Sequence, residues 1–288
     1  GDFNPNFFAY GSFPIYMIYF FSKGNFELSL LTGRFLSAVF STISLALIYL
    51  ITKQLLVAMI AKGRLSLSNT QSIEKYAILA VAISAFSPGL IQFAHFTTFE
   101  SFLTFEYLLF VYFGAKLIYK PSWTTYLLLG VVTGLAIGTK IVSLFLLAIF
   151  ILIHLIVVLG RRSIVQNNKR FIIELPFKLL SPQFILSTLL IGIVFVATNP
   201  FMFLDYEAFR GSLAYESSVA RGTMIVFYTQ QFLETIPFVY QFFYVFPSLL
   251  SWPLTVLGIL SIVFLTMYCT IQRNIFLFKD RGKVKLPL

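Results

Sequence analysis

The sequence has 288 residues, of which 58% are hydrophobic and only 11% are charged, and its mean hydropathy is +0.88. Soluble domains are about 25% charged, so this composition excludes an ordinary soluble domain. The net charge of +10 does not indicate nucleic-acid binding, because the Lys and Arg residues adjoin long apolar runs, where membrane topology and anionic lipid head groups explain them.

The apolar runs predict a helical membrane protein. A spanning helix needs about 20 mostly apolar residues. The run 7–21 is shorter and contains Pro14, so we predict an interfacial or re-entrant segment. The predicted spans are, in chain order, 35–52, 76–94, 96–115, 126–139, 141–159, 184–198 and 252–269. The aromatic segment 223–250 is broken by prolines, so we predict that it lies in the interface or crosses partway.

The fold class is therefore all-α, a single polytopic bundle of about seven transmembrane helices with interfacial helices. Its orientation follows from the basic connections, which are 53–75, 116–120, 161–178 and 273–285. The positive-inside rule places these on the cytoplasmic side. Residues 1–30 and 201–250 then form loops on the outer side. Most acidic residues also fall outside or at outer span ends, namely Asp2, Glu27, Glu100, Asp205, Glu207, Glu216 and Glu234.

Ionisable residues collect at the outer ends of different spans. Such a residue costs about 2.5–3.5 kcal/mol near a span centre and less near its ends. The candidates are Arg34, His95, Glu100 and Lys140, with Tyr215, Glu216 and Arg221 in the large outer loop. If these ends converge, the pocket would suit a phosphorylated lipid, with a carboxylate acting as base or metal ligand.

Each candidate also has a simpler interpretation. Arg34 and Lys140 are equally explained by snorkelling to phospholipid head groups, and His95 by a satisfied interfacial histidine. For Glu100 we favour a functional role, because an acidic side chain without a partner gains no stability at the end of a span. For Glu106, six residues further along the same helix, we favour a helix-packing contact, and for His154 a structural role.

A family resemblance is carried by two successive stretches, DFNPNFFAYGSFPIYMIYF and GRFLSAVFSTISLALIYLI. It continues through FSPGLIQFAHFTTFESFLTF, GLAIGTKIVSLFLL, NPFMFLDYEAFRGSLAYESSVARG and QFLETIPFVYQF. These stretches resemble the GT-C membrane glycosyltransferases that use polyprenyl-phosphate sugars, among them the protein O-mannosyltransferases and the aminoarabinose transferases of lipid A.

The resemblance implies a site and a reaction. Glu100 matches the family's second outer acidic position, as a catalytic residue or as a ligand of Mg²⁺ or Mn²⁺. His95, which flanks the same outer turn, is a second candidate catalytic residue by its position and not by the resemblance. Lys140 and Arg34 match cations that compensate the donor phosphate. The donor would be a sugar on polyprenyl or dolichyl phosphate, and the acceptor a hydroxyl of a protein or glycolipid. The membrane would be the plasma membrane of a prokaryote or the endoplasmic reticulum of a eukaryote, with the active site extracytoplasmic.

The family's first acidic motif would lie upstream of Gly1. We therefore expect a fragment that lacks this motif and a C-terminal part, and that is inactive alone. Two alternatives stay open, a transporter or flippase of lipid-linked sugars and a non-catalytic membrane subunit. A transporter is expected to hold its polar residues near the bilayer midplane, often in repeats.

Overall fold

The computed structural model describes residues 3–61, 70–160, 175–236 and 238–281, without the side chains of residues 70 and 269–281. The helices are α1 (Phe13–Ser22), α2 (Phe26–Ala61), α3 (Thr70–Ala85), α4 (Pro88–His95), α5 (Glu100–Tyr119), α6 (Trp123–Thr139), α7 (Phe145–Gly160), α8 (Pro182–Thr198), α9 (Phe201–Leu204), α10 (Tyr206–Ala220), α11 (Phe246–Leu250) and α12 (Trp252–Arg281). A 3₁₀ turn, Ile141–Leu144, leads into α7.

No strand occurs among these residues, so the predicted all-α class is confirmed. Some residues that carry sequence predictions lie outside the described residues. These are Asp2 and most of the connections predicted to be basic, at 62–69, 161–174 and beyond residue 281.

Within the described residues, four helical segments are long and apolar enough to cross a membrane, namely Phe26–Ala61, Glu100–Tyr119, Ile141–Gly160 and Leu175–Thr198. Two bent pairs, Gln71–Ala85 with Pro88–His95 and Gln241–Leu250 with Trp252–Tyr268, raise the number to six. The chain is therefore a polytopic membrane protein. The fourth predicted span, 126–139, corresponds to a helix of 17 residues, Trp123–Thr139, which is shorter than the about 20 residues of a typical spanning helix.

The predicted span 76–94 is not one straight helix. It bends by 60° where α3 ends and α4 begins. Pro88 opens α4, and a proline lacks the amide hydrogen that would continue the hydrogen bonds of α3, so the chain starts a new helix there. The helix α2 is longer than its apolar run of 35–52, because hydropathy marks the part in lipid and not the helix ends.

The core lies among α5, α6, α7 and α8, with α6 at its centre. Leu129 and Ala136 of α6 are completely buried. A Cβ on Gly134 would lie 2.8 Å from the carbonyl oxygen of Ile191 in α8, so the glycine allows the two backbones to approach. The glycines of the GLAIGT stretch therefore serve helix packing.

His154 is a structural residue, as the sequence predicted. It is buried in α7, and its Nδ1 lies 2.8 Å from the hydroxyl of Tyr126. Its Nε2 lies 3.1 Å from the carbonyl oxygen of Leu179, and its ring stacks on Phe184 at 4.2 Å. Both ring nitrogens are therefore engaged within the protein.

Two compact units divide the chain. The first consists of Gly1–Phe86 and Leu90–Gln231, and the second of Ser87–Gly89 and Phe232–Leu288. That both belong to one domain stays a prediction, as does the interfacial position of α1 and of the segment 223–250. All of the candidate site residues lie in the first unit.

Candidate functional site

An ion pair between Glu100 and Lys140 forms the centre of the candidate site. Glu100 is the first residue of α5, where a carboxylate complements the positive end of the helix dipole. Lys140 follows the last residue of α6 in an extended conformation. Glu100 Oε1 lies 3.6 Å from Lys140 Nζ, and the side chains are 33% and 31% exposed. The pair is thus formed within the protein yet accessible to a ligand.

Tyr10 forms one wall of this centre. The ring centroid of Tyr10 lies 4.9 Å from Lys140 Nζ, which is within the range of a cation–π contact. The same ring packs edge-on against Phe99, with the centroids 5.1 Å apart. Tyr10 therefore contacts both the cation of Lys140 and Phe99, the residue that precedes Glu100. Sequence reasoning missed Tyr10, because a tyrosine next to an apolar run is usually an interfacial belt residue.

The turn that bears Lys140 is held by the segment before α1. The backbone N–H of Gly11 donates to the carbonyl oxygen of Thr139 at 3.0 Å. A Cβ on Gly11 would overlap the carbonyl group of Gly138, so only glycine permits this approach. The spacing of the AYGSFP stretch thus places Tyr10 beside Lys140.

Asn199 joins a third segment to the same turn. Its side chain is fully buried, and its Oδ1 accepts the backbone N–H of Ser12 at 2.7 Å. Its Nδ2 donates to Phe195 O at 3.2 Å and to Thr198 Oγ1 at 3.0 Å. Since both polar atoms of the amide form hydrogen bonds, Asn199 holds α8 against the segment before α1. No local sequence pattern predicts this role of Asn199.

Glu106 anchors the other side of the turn. Its carboxyl is 2% exposed, and its Oε1 accepts a hydrogen bond from Thr139 Oγ1 at 2.8 Å. This contact between α5 and α6 agrees with the predicted packing role. No described group forms a hydrogen bond with the other oxygen, Oε2. A hydrogen bond at Thr139 therefore fixes the residue that directly precedes Lys140.

Arg34 is not joined to the ion pair. Its side chain is exposed on α2 and forms no ion pair with any described side chain. Its neighbour Gly33 does lie against Thr97, whose hydroxyl donates to Leu30 O at 3.1 Å. The backbone of α2 thus contacts the α4–α5 turn, although the guanidinium of Arg34 forms no ion pair with a described side chain. That Arg34 binds the donor phosphate stays a prediction.

His95 is the last residue of α4 and is exposed. Its Nδ1 lies 2.7 Å from the carbonyl oxygen of Ile91 in the same helix. A carbonyl only accepts, so Nδ1 is the donor and the neutral ring retains a free acceptor at Nε2. This contact fits the satisfied-histidine interpretation, and a catalytic role for His95 stays a prediction.

The outer-loop candidates lie on or next to α10. Arg221 is exposed and donates from Nε to Ser217 O at 3.1 Å, so it caps its own helix. Loss of hydration raises the pKa of Tyr228, and the nearby Tyr215 and Glu216 raise it further. The hydroxyl of Tyr10 contributes to the pKa of Tyr228 in the same direction.

Asp205 is a second point of attachment for the N-terminal segment. Its Oδ2 accepts a hydrogen bond from Asn4 Nδ2 at 2.8 Å. The DFNPNFF and NPFMFLD stretches therefore meet in the fold, although about 200 residues separate Asn4 from Asp205.

The described residues do not by themselves fit a divalent cation. No group of three or more His, Cys, Asp or Glu side chains among them is arranged to hold one. Mg²⁺ and Mn²⁺ prefer several oxygen ligands, whereas Glu100 is a single carboxylate with a lysine beside it. Glu100 as a metal ligand stays a prediction, and no step below depends on a metal.

One family model matches the chain, over residues 14–186, and its description is dolichyl-phosphate-mannose-protein mannosyltransferase. The matched range includes Arg34, His95, Glu100 and Lys140. No curated protein and no solved structure matches the chain.

Proposed function

Because the chain belongs to the dolichyl-phosphate-mannose-protein mannosyltransferase family, we propose that it moves a sugar from a polyprenyl or dolichyl phosphate to an acceptor hydroxyl. The acceptor is a hydroxyl of a protein or a glycolipid. The family makes the chain a membrane glycosyltransferase of the GT-C type. The donor, the acceptor and the extracytoplasmic position of the site belong to the proposal.

The observation that carries the proposal is the ion pair of Glu100 and Lys140. A donor of this class ends in a phosphodiester, so its recognition needs a cation near the membrane surface. Lys140 is one-third exposed and its cation lies beside the ring of Tyr10. When the donor phosphate approaches Nζ, it replaces Glu100 as the partner of the lysine. The carboxylate of Glu100 is then free to face the acceptor.

The reaction exchanges one bond at the anomeric carbon for another. The acceptor hydroxyl oxygen forms a bond to the anomeric carbon, and the bond from that carbon to the phosphate oxygen breaks. The lipid phosphate leaves with the electron pair and gains a negative charge, which Lys140 stabilises. The hydroxyl proton passes to a carboxylate, for which Glu100 is the candidate in the described part of the chain.

Several elements keep the lysine in place for this step. Thr139 is held by Glu106 on one side and by Gly11 on the other. Asn199 holds Ser12, which follows Gly11. These contacts are buried, so they act as positioning contacts and not as ligand contacts. A pre-positioned cation loses little freedom when the phosphate arrives.

The experiment is a transfer assay with the full-length protein in nanodiscs, using a polyprenyl-phosphate sugar and a hydroxyl acceptor. The proposal predicts that sugar appears on the acceptor while free lipid phosphate accumulates in equal amount. A flippase would move the donor across the bilayer without cleaving it. A non-catalytic subunit would do neither. Intact donor after long incubation, in the presence of a range of acceptors, would contradict the proposal.

A further inference from the structure

A groove lies between α2 and α5, far from the candidate site. Its walls come from the last turns of both helices, and its volume is about 550 Å³. The lysine groove, as we name it, contains Lys53, Lys116 and Lys120, with Leu50 and Val57 on its apolar wall. The helix α5 has 20 residues. At about 1.5 Å per residue the helix is about 30 Å long, so the groove and Glu100 lie at opposite membrane surfaces.

Two positive charges in this groove are not neutralised by a carboxylate of the described chain. Lys53 forms an ion pair with Glu74 of α3, with Nζ and Oε1 2.6 Å apart. Neither Lys116 nor Lys120 forms an ion pair within the described residues. Lys116 Nζ lies 5.9 Å from the ring centroid of Tyr112, which is at the outer limit of a cation–π contact. The groove therefore has a net positive charge.

The apolar wall lies directly beside these cations. Leu50 and Val57 of α2 are 42% and 52% exposed, and Ala58 at the same wall is buried. A soluble anion would contact only the lysines of the groove, and an apolar helix would contact only its apolar wall. An anionic phospholipid has both parts, because its phosphate is joined to acyl chains. The two chemistries of the groove match the two parts of that one molecule.

We propose that the lysine groove is a binding site for one anionic phospholipid, with its phosphate between Lys116 and Lys120 and an acyl chain along Leu50 and Val57. Basic pockets between transmembrane helices are a known means of binding anionic head groups. The proposal is independent of the glycosyl-transfer reaction. It also goes beyond the positive-inside rule, under which each lysine reaches the surface separately and no lysine is preferred by a lipid.

The test is a titration of the full-length protein, in nanodiscs of phosphatidylcholine, with phosphatidylglycerol as the probe and native mass spectrometry as the readout. Lys116→Gln and Lys120→Gln should each weaken binding about fivefold, and the double variant about 25-fold. Val57→Trp should also weaken binding, since it fills the groove without changing its charge. The matched control is Lys75→Gln, an exposed lysine next to Glu74 that does not line the groove.

Three results would overturn the proposal. An equal loss in Lys75→Gln would show diffuse attraction of anionic lipid to a basic surface. Unchanged binding in the double variant Lys116→Gln/Lys120→Gln would show that the lysines do not hold the head group. Displacement of the lipid by glycerol phosphate, which has no acyl chain, would show a site for soluble phosphates.

Discussion

Replacement of Lys140 by methionine removes the cation of the candidate site and retains much of its side-chain volume. A donor phosphate oxygen that takes the place of Glu100 Oε1 would lie 3.6 Å from Nζ. At that distance the attraction between unit charges is about 1 kcal/mol in water and about 5 kcal/mol at an effective dielectric constant of about 20. Lys140 is 31% exposed, so it lies between these limits. Turnover of Lys140→Met should therefore fall between about tenfold and about a thousandfold.

The assay is the initial rate of sugar release from a polyprenyl-phosphate donor by the full-length protein in nanodiscs. Lys140→Arg should retain most of the rate, because it keeps the charge. Lys23→Met is a matched control, since Lys23 is an exposed lysine outside the Glu100–Lys140 centre. The thermal transition of each variant shows whether the fold is intact. If Lys140→Met folds normally and turns over at the rate of Lys23→Met, the assignment of Lys140 to the phosphate is wrong.

Three further predictions concern the surroundings of the pair. Thr139→Val removes the hydrogen bond to the buried carboxyl of Glu106 and should lower the free energy of unfolding by about 1–3 kcal/mol. Thr139→Ser retains a hydroxyl and should lower it less. Thermal unfolding measures both variants, and equal melting temperatures would contradict the anchoring role. Gly11→Ala places a methyl group on the carbonyl of Gly138 and should reduce the rate of sugar transfer. The control is Gly211→Ala, which should not reduce this rate because Gly211 has open space around it. Unchanged rates in both variants would show that the close approach of Gly11 to Gly138 is not needed. Arg34→Met should reduce transfer far less than Lys140→Met, because the exposed Arg34 forms no ion pair with a described side chain. Equal losses of transfer rate in the two variants would contradict this and assign Arg34 to the phosphate site.

The sequence was sufficient for the class of fold and for the end of the bundle that bears Glu100 and Lys140. Long apolar runs indicate where helices lie in lipid, and an acid at a span end is costly enough to be noticed. The same reasoning predicted the packing role of Glu106 and the structural role of His154. These features depend on composition along one helix, so they can be recognised without knowing the neighbours.

The sequence was not sufficient for the rotation of each helix about its axis. A helix in lipid is apolar on nearly all sides, so its pattern does not show which side faces a neighbour. Arg34 and Lys140 therefore looked equivalent, although the structure pairs only Lys140 with Glu100. The contact of Gly11 with Thr139 joins residues that are distant in sequence, so no local pattern predicts it. The contact of Tyr10 with Lys140 also joins distant segments, so the sequence alone left Tyr10 as an ordinary interfacial tyrosine.

The most direct measurement is photocrosslinking of the full-length protein with a polyprenyl phosphate that carries a reactive group next to its phosphate, followed by peptide mapping. The adducts should lie on peptides that contain Tyr10, Glu100 or Lys140, and excess unmodified donor should suppress them. Adducts confined to lipid-facing surfaces, or to the opposite end of the bundle near Lys116 and Lys120, would contradict a donor site at the Glu100–Lys140 pair.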